Sequence, residues 1–263
     1  MLLTMLLTMG CRSLNAVAWR CLQLNRYRKI PYHNMYHAMN VMQSCYHLLT
    51  TTAVGEQFTM LEKFSFLIAA LCHDIAHDGV NTGFHIAASS DLAHQYNDRS
   101  PLENLHAHQC FEVMRKEDCD ILASFGAAEK KQALKLICEA IIGTDMAFHK
   151  KPVDDMAALH EVDMTDTHNR EEMMSVLVHL CDVGASTFEW AESTRWARMI
   201  STEMHAQVEL EKAYDFKPFS GYMDLGEDEA ATATFAKGQV GFIGFVLLPF
   251  FSLFPPFIPV RLQ

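Results

Sequence analysis

Residues 72–81 read Cys-His-Asp-Ile-Ala-His-Asp-Gly-Val-Asn and follow a mainly apolar run at residues 64–71. His73 and Asp74 are adjacent, and His77 lies four positions after His73. If a helix continues through this stretch, His73 and His77 share one of its faces. Imidazole and carboxylate groups together suit a divalent metal such as zinc, with oxygen sites left for a harder ion. Two surface histidines on one helical turn would give the same spacing, so the rest of the chain has to decide between the two interpretations.

The length and charge of the chain limit the classes of function. Its 263 residues are enough for one large domain or two small ones. Half of them are hydrophobic and 20% are charged, which is typical of a globular protein. The formal net charge is −11 and there is no long basic run, which argues against binding to nucleic acid. A small phosphate-bearing substrate stays compatible, because a bound metal can supply local positive charge.

The eight cysteines are scattered singly and form no CxxC motif, which disfavours a zinc ribbon or a thioredoxin-like site. Many of them lie in apolar helical contexts, where a free thiol behaves as a small hydrophobic residue. A reducing, cytoplasmic location is therefore predicted. The short apolar N-terminus has no charged segment before it, which disfavours a signal peptide.

Apolar residues recur at spacings of three to four along most of the chain, and no long stretch alternates with period two. This pattern predicts an all-α, compact multi-helix domain. Ser100 is predicted to be the N-cap of one helix, with Pro101 in its first turn and Glu103 three residues after the cap. Polar residues 151–169 and 221–236 are predicted to be surface loops. The predicted helices cover residues 14–27, 35–50, 56–76, 84–96, 101–116, 127–143, 171–182 and 188–216.

The C-terminal region supports two interpretations. Residues 240–260 contain no charge over twenty-one positions, and hydropathy alone would predict a membrane span. The prolines in this stretch argue against a regular spanning helix. The alternatives are therefore contact with a membrane or a buried helix followed by an apolar tail.

Two further segments carry the same residue types as the opening stretch. Residues 32–38 read YHNMYHA, and residues 178–182 read VHLCD. One candidate set of metal ligands combines two histidines and two carboxylates, which leaves room for water as a catalytic site requires. Carboxylates that bridge two metals would allow the activation of water and the stabilisation of charge on a phosphoryl group. The candidate ligands are His37, His73, Asp74 and Asp182.

Six motifs in this order resemble the catalytic domain of class I 3′,5′-cyclic nucleotide phosphodiesterases. The resemblance implies an all-α bundle of the HD superfamily that hydrolyses a cyclic nucleotide to a 5′-monophosphate. It implies two divalent metal ions, with zinc in the tighter site and magnesium or manganese in the other. It places a catalytic domain at residues 27–249, between a remnant N-terminal segment at 1–26 and a divergent apolar tail at 250–263. The motifs are YHNMYHA (32–38), HDIAHDGVN (73–81), YNDRSPLEN (96–104), GTDM (143–146), HLCD (179–182) and QVGFI (239–243).

The resemblance also implies roles for the matching residues. His33 resembles the general acid that protonates the departing 3′ oxygen, a role that suits imidazole because its pKa lies near working pH. The metal ligands implied are the four residues named above. The side chains that would orient water around the metals are His77, Glu103, Thr144 and Asp145.

A second group of matching residues would bind the substrate. Gln239 resembles the glutamine whose amide bonds the purine edge, since an amide offers both a donor and an acceptor. Phe242 lies three residues later on the same helical face and would stack on the base, although core packing would also explain it. Tyr32 belongs to the first motif and is assigned to the same pocket. Ile200 is a further candidate for the apolar wall, although its helical stripe alone is typical of a core.

The sequence departs from the family pattern at several positions. Ala76 stands where an acid is usual, Leu105 replaces a histidine and Asn40 replaces an aspartate. Residues 183–186 also differ from the usual run after the ligand aspartate. None of these changes removes a metal ligand or His33, but weaker support around a metal often lowers activity tenfold or more. Only about thirty residues precede the first motif, so we expect a second copy or a partner chain to cover exposed helices.

Three functions remain open from the sequence. The first is a two-metal cyclic nucleotide phosphodiesterase, and the second is an inactive relic that binds a nucleotide or a partner. The third is an HD-type phosphohydrolase that acts on noncyclic nucleotides. His33, Gln239 and Phe242 favour the cyclic substrate. The choice between cAMP and cGMP depends on how the amide of Gln239 is oriented, which the sequence does not determine.

Overall fold

Every regular element within the described residues is helical, which confirms the predicted all-α class. The computed structural model describes residues 26–116, 119–150, 162–217 and 229–254, so most of the predicted helix at 14–27 lies outside the described residues. The helices are α1 (Met35–Thr51), α2 (Ala53–Gln57), α3 (Met60–Cys72), α4 (Thr82–Ala87), α5 (Asp91–Gln95), α6 (Pro101–Met114), α7 (Ala127–Ile142), α8 (Thr167–Asp182), α9 (Trp190–Ala213), α10 (Glu229–Phe242) and α11 (Leu248–Phe251). Short 3₁₀ helices cover Met146–Phe148 and Val183–Thr187, and a π-helical turn at Ile243–Leu247 joins α10 to α11.

Helix α3 lies at the centre of the main core. Phe64 and Phe66 are each 1% exposed, and α3 packs most extensively against α1 and α7. Thr59 begins the helix through a capping box, in which its hydroxyl accepts from the Glu62 N–H while the Glu62 carboxylate accepts from the Thr59 N–H. Burial of each large apolar side chain contributes about 2 kcal/mol, so this helix fixes the position of whatever follows it.

The predicted helix at 56–76 is wrong at its C-terminal end. Helix α3 stops at Cys72, residues 73–76 form a turn, and Ala76 has a φ of 70°. This left-handed conformation cannot continue an α-helix. His73 and His77 therefore do not share a helical face, and both lie beyond the end of α3. The apolar run extends through the fully buried Ile75, so apolar spacing alone does not reveal where the helix ends.

The other predicted boundaries differ in smaller ways. Residues 84–96 form two short helices rather than one, because Ser90 caps a new helix by accepting from the Ala93 N–H. The predicted loop at 221–236 is wrong from Glu229 onward, where α10 begins, and residues 167–169 of the other predicted loop belong to α8. Residues 151–161 and 218–228 lie outside the described residues.

Helices α10 and α11 with the turn between them form a continuous helix over Glu229–Phe251. By length and composition alone this segment could cross a membrane, with a mean hydropathy of 1.4 and 11% of its most apolar window buried. Phe245 is 86% exposed, so the expectation that burial explains the apolar character is wrong for this side of the helix. Phe250 and Phe254 pack into the main core, so the first residues after the predicted boundary at 249 belong to that core.

Candidate active site

One cavity of about 700 Å³ collects most of the residues that the sequence singles out. His37 and His73 lie behind its wall and are at most 1% exposed. The cavity opens between the ends of several helices, with α9 and α10 on one side. The predicted residues that line it are Tyr32, His33, Asp74, His77, Glu103, Thr144, Asp145, Asp182, Ile200, Gln239 and Phe242.

The four predicted ligands meet at the inner end of this cavity. One potential ligand atom from each of the four lies within 4.8 Å of the others. His37 Nε2 is 2.9 Å from Asp182 Oδ1, and His73 Nε2 is 3.0 Å from Asp74 Oδ2. They come from the first turn of α1, the turn after α3 and the last residue of α8, so three separate segments must pack correctly to form the cluster.

The donor chemistry of this cluster fits a divalent cation. His73 Nδ1 donates to the Ala70 carbonyl at 2.8 Å, so in the neutral ring the lone pair of Nε2 faces the cluster. Asp74 Oδ2 is buried, and the Nε2 atoms of His73 and His37 lie 3.0 and 3.3 Å from it. Burial alone would raise the pKa of both Asp74 and Asp182, but the adjacent histidines outweigh it and hold both pKa values well below the usual range. Charged oxygens and imidazole nitrogens that converge in this way are typical ligands of zinc.

His33 lies beside this cluster and is held by Glu203 of α9. It precedes α1, because Asn34 is the N-cap and accepts from the N–H groups of Tyr36 and His37. His33 therefore lies outside the helix that carries His37. The Glu203 carboxylate accepts from the backbone N–H groups of Tyr32 at 2.8 Å and of His33 at 3.2 Å, and also contacts His33 Nδ1. This arrangement leaves the other ring nitrogen of His33 available for a ligand in the cavity.

The surrounding charges favour the protonated form of His33. Burial by itself would lower the pKa of this histidine, but the negative charges of Asp74 and Glu203 outweigh burial and leave the pKa raised. The ring stacks on His77 with centroids 4.0 Å apart. Burial and the nearby His33 hold the pKa of His77 well below its usual range, so His77 is the neutral member of the stacked pair.

Two carboxyl groups form the opposite wall of the cavity. Glu103 is in the first turn of α6, and burial together with the charge of Asp145 raises its pKa to about 8. Asp145 is 4% exposed and follows α7, where its Oδ1 accepts from the Ala147 N–H at 2.8 Å. Thr144 donates its hydroxyl to the Ile141 carbonyl at 2.8 Å, so this hydroxyl is held by the end of α7.

The remaining predicted residues form the outer, more apolar part of the cavity. Gln239 and Phe242 both line it from α10, as their spacing predicts. Tyr32 packs edge-on against Trp196 with centroids 5.8 Å apart, and Ile200 packs beside them. The cavity thus has charged groups at its inner end and an amide with an aromatic ring farther out, which is an arrangement for a ligand with a charged group and a flat ring.

Two residues of the site were missed from the sequence. Glu203 looks like one charge on an amphipathic helix, although its spacing with Gln207 and Glu211 marks a row of three polar residues on one face, each at most 3% exposed. His106 Nδ1 donates to the Ile75 carbonyl at 2.7 Å, and burial lowers the pKa of His106 to about 4. Its Nε2 is 3.8 Å from Asp74 Oδ1, and the signal that could have found it is its position just after the YNDRSPLEN motif.

The chain is similar to several known proteins. Residues 32–262 match the model of a family described as 3′5′-cyclic nucleotide phosphodiesterase. The chain is 34% identical over 224 residues to the dual specificity calcium/calmodulin-dependent 3′,5′-cyclic nucleotide phosphodiesterase 1 of Drosophila melanogaster, covering 85% of this chain and 26% of that protein. It is 30% identical over 243 residues to the high affinity cGMP-specific 3′,5′-cyclic phosphodiesterase 9A of Mus musculus, covering 92% of this chain and 44% of that protein. The chain therefore spans less than half the length of these two curated relatives.

A solved structure is also similar. The crystal structure of the phosphodiesterase domain of Salpingoeca rosetta rhodopsin phosphodiesterase superposes with a TM-score of 0.85 at 32% identity, over 92% of this chain and 73% of that one.

Proposed function

The chain belongs to the 3′5′-cyclic nucleotide phosphodiesterase family, and we propose that its cavity hydrolyses cAMP, cGMP or both to the 5′-monophosphate. One observation carries the proposal most directly. His33, held by Glu203, lies in the same cavity as the cluster of His37, His73, Asp74 and Asp182. A proton donor therefore faces a site whose ligands suit a cation, which is the combination that phosphodiester hydrolysis needs.

Two divalent cations, with zinc in the four-residue cluster and magnesium or manganese beside Asp74, supply Lewis acidity and lower the pKa of water when they are bound. The chain itself has three tasks. The cluster holds the ionised oxygens of Asp74 and Asp182 in place, the carboxyl groups of Glu103 and Asp145 orient water, and His33 supplies a proton. Neutral His77, stacked on His33, provides a ring that does not repel the protonated imidazole.

The proton transfer can be followed atom by atom. As the oxygen of water bonds to phosphorus, the bond between phosphorus and the 3′ oxygen breaks, and negative charge builds on that oxygen. One proton of the water stays on the product phosphate and the other passes to solvent, from which His33 is later reprotonated. The ring nitrogen of His33 that faces the cavity donates its proton to this oxygen. The Glu203 carboxylate stabilises the imidazolium before the transfer through its contact to His33 Nδ1.

The outer part of the cavity supports a cyclic nucleotide as the substrate. The Gln239 amide can pair with a purine edge, while Phe242 lies one helical turn along and can stack on the ring. The names of the two curated relatives give dual specificity for one and cGMP specificity for the other. The proposal for this chain therefore includes both cAMP and cGMP as substrates.

The test is turnover by the purified protein with magnesium or manganese. Release of 5′-AMP or 5′-GMP is expected, and His33→Ala should abolish it. His94→Ala is the matched control, since His94 is an exposed histidine on α5 outside the cavity, and its activity should equal that of the unchanged chain. Absence of turnover in a protein shown to contain both metals would refute the enzymatic function and favour a role in binding.

Metal analysis tests the ligand assignment separately. Asp74→Ala should lose metal from both sites, since Asp74 contacts the inner cluster and also faces His106 and the cavity. Unchanged zinc content in this variant would mean that the assignment of the ligands is wrong.

A further inference from the structure

Ser100 adopts an unusual backbone conformation at the wall of the cavity. Its φ of 42° and ψ of 53° are left-handed, and it directly precedes Pro101, the first residue of α6. Residues other than glycine are disfavoured in this region because Cβ crowds the carbonyl oxygen. Ser100 occupies the predicted N-cap position, but its side chain makes no capping hydrogen bond. A serine that is 7% exposed and strained therefore has another use for its hydroxyl.

That hydroxyl donates to Asp145 across the cavity wall. The distance from Ser100 Oγ to Asp145 Oδ2 is 2.7 Å, and both residues are buried. The other oxygen, Asp145 Oδ1, accepts from the Ala147 N–H at 2.8 Å. Each oxygen of this carboxylate thus has one fixed donor, so the remaining lone pairs point in set directions.

The backbone of Ser100 fixes a second carboxyl group. The Asn104 backbone N–H and side-chain amide both donate to the Ser100 carbonyl at 3.0 Å. These bonds lock the first turn of α6, which carries Glu103. Glu103 Oε2 is buried and has no hydrogen-bond partner among the described residues, and Glu103 lines the same cavity as Asp145. Ser100 therefore contacts Asp145 through its hydroxyl and, through its carbonyl, the helical turn that carries Glu103.

We propose that Ser100 is a positioning residue that holds Asp145 and the Glu103 turn in register, and so sets the affinity of the cavity for a second, hard divalent cation. The inference rests on the proposed function, in which these two carboxyl groups orient water around that cation. The strained backbone conformation of Ser100 places its hydroxyl within hydrogen-bonding distance of Asp145. A glycine would fit the backbone better but could not donate to Asp145.

Two substitutions at this position separate positioning from stability. Ser100→Ala and Ser100→Gly both lose the hydroxyl, but only glycine relieves the left-handed strain. The melting temperature of Ser100→Gly should therefore exceed that of Ser100→Ala by about 2–4 °C. Both should bind Mn²⁺ about tenfold more weakly than the unchanged protein, because outer partners of a metal site typically contribute at least that much. Calorimetric titration of the zinc-loaded protein with Mn²⁺ measures this affinity, and kcat should fall while KM for cyclic nucleotide changes little.

The matched control is Ser201→Ala. Ser201 is a fully buried serine whose hydroxyl donates to the Ala197 carbonyl at 2.7 Å, so the same chemical group is removed from a bond of the same length. Its Mn²⁺ affinity should stay unchanged. In an Asp145→Asn background, Ser100→Ala should have much less effect on Mn²⁺ binding, because the carboxylate that it positions is gone.

Each outcome decides the inference. The inference is overturned if Ser100→Ala binds Mn²⁺ as tightly as the unchanged protein, or if the unchanged zinc-loaded protein binds no Mn²⁺. It is also overturned if Ser100→Gly regains the Mn²⁺ affinity together with the higher melting temperature. If the unchanged protein binds Mn²⁺ but turns over no cyclic nucleotide, the proposed function fails, and the Mn²⁺ affinities still decide whether Ser100 positions the site.

Discussion

Replacing Glu203 by glutamine tests how the site keeps His33 protonated. The substitution keeps the shape of the side chain, and the amide oxygen can still accept from the Tyr32 and His33 N–H groups. It removes the negative charge that contacts His33 Nδ1 in a place where Glu203 is 3% exposed. The amide would also present N–H to Nδ1, which favours the neutral imidazole.

The size of the effect follows from the contact that is lost. A hydrogen bond to a charged group contributes about 1.5–3 kcal/mol, and one pKa unit corresponds to about 1.4 kcal/mol. The pKa of His33 should therefore fall by about one to two units. A general acid works only while it is protonated, so activity is present below this pKa and is lost as pH rises through it. The basic limb of the kcat profile should move to lower pH by the same amount, and the activity that Glu203→Gln loses at the alkaline end should be largely recovered at the acid end.

The assay is kcat for cyclic nucleotide hydrolysis between about pH 5.5 and 9.5, with metals at saturation at each pH. Glu211→Gln is the matched control, because Glu211 is fully buried on the same face of α9, two turns farther along, and its Oε1 accepts from the Gln207 amide at 2.7 Å. Its basic limb should not move. If the basic limb of Glu203→Gln coincides with that of the unchanged protein while kcat falls uniformly, Glu203 acts only through the backbone of the His33 loop, and the reasoning about charge is wrong.

Three other perturbations have defined outcomes. Ala76→Gly should raise the free energy of unfolding by about 1 kcal/mol in urea titrations, because Ala76 has a φ of 70°; a decrease would mean that the turn is not strained. Arg170→Met should lower the free energy of unfolding by about 3 kcal/mol, because Glu62 is 2% exposed and loses the Arg170 Nε donor at 3.0 Å. An unchanged urea midpoint would show that the Thr59 N–H alone satisfies the Glu62 carboxylate. Phe242→Ala should raise KM for the cyclic nucleotide about tenfold with little change in kcat, which corresponds to a stacking contribution of about 1.5 kcal/mol. A KM equal to that of the unchanged protein would show that Phe242 does not bind the substrate.

The chemistry-bearing motifs could be recognised in the sequence because their residue types are unusual together. His73 beside Asp74 at the end of an apolar run is informative without any structure, and the structure brings both to a common cluster with His37 and Asp182. The helix predicted over residues 56–76 ends early, at Cys72, for a local reason. Apolar residues continue past Cys72, and no residue type marks the left-handed turn at Ala76, since alanine is usually a helix former.

Glu203 could not be recognised for a different reason. A glutamate on an amphipathic helix is normally solvated, and its burial here depends on the His33 loop, which lies 170 residues earlier in the sequence. The same limit applied to the segment over Glu229–Phe251, where hydropathy did not separate the cavity-lining Phe242 from the exposed Phe245. Whether such a side chain is buried depends on which helices pack against it, and the periodicity within one helix does not contain that information.

The charged inner end of the site is built mainly from residues at the ends of helices, whereas Glu203 and the outer wall come from the faces of α9 and α10. His33 precedes α1, His73 and His77 follow α3, and Asp145 and Asp182 lie just after α7 and at the last residue of α8. Side chains on helix faces are needed for the core, as the fully buried stretch of α3 shows. Residues at the ends are free to converge on a shared point while the packed helices hold them rigidly. Substitutions in the α3 core should therefore disturb metal binding only together with stability, whereas substitutions at helix ends such as Ser100 should separate the two.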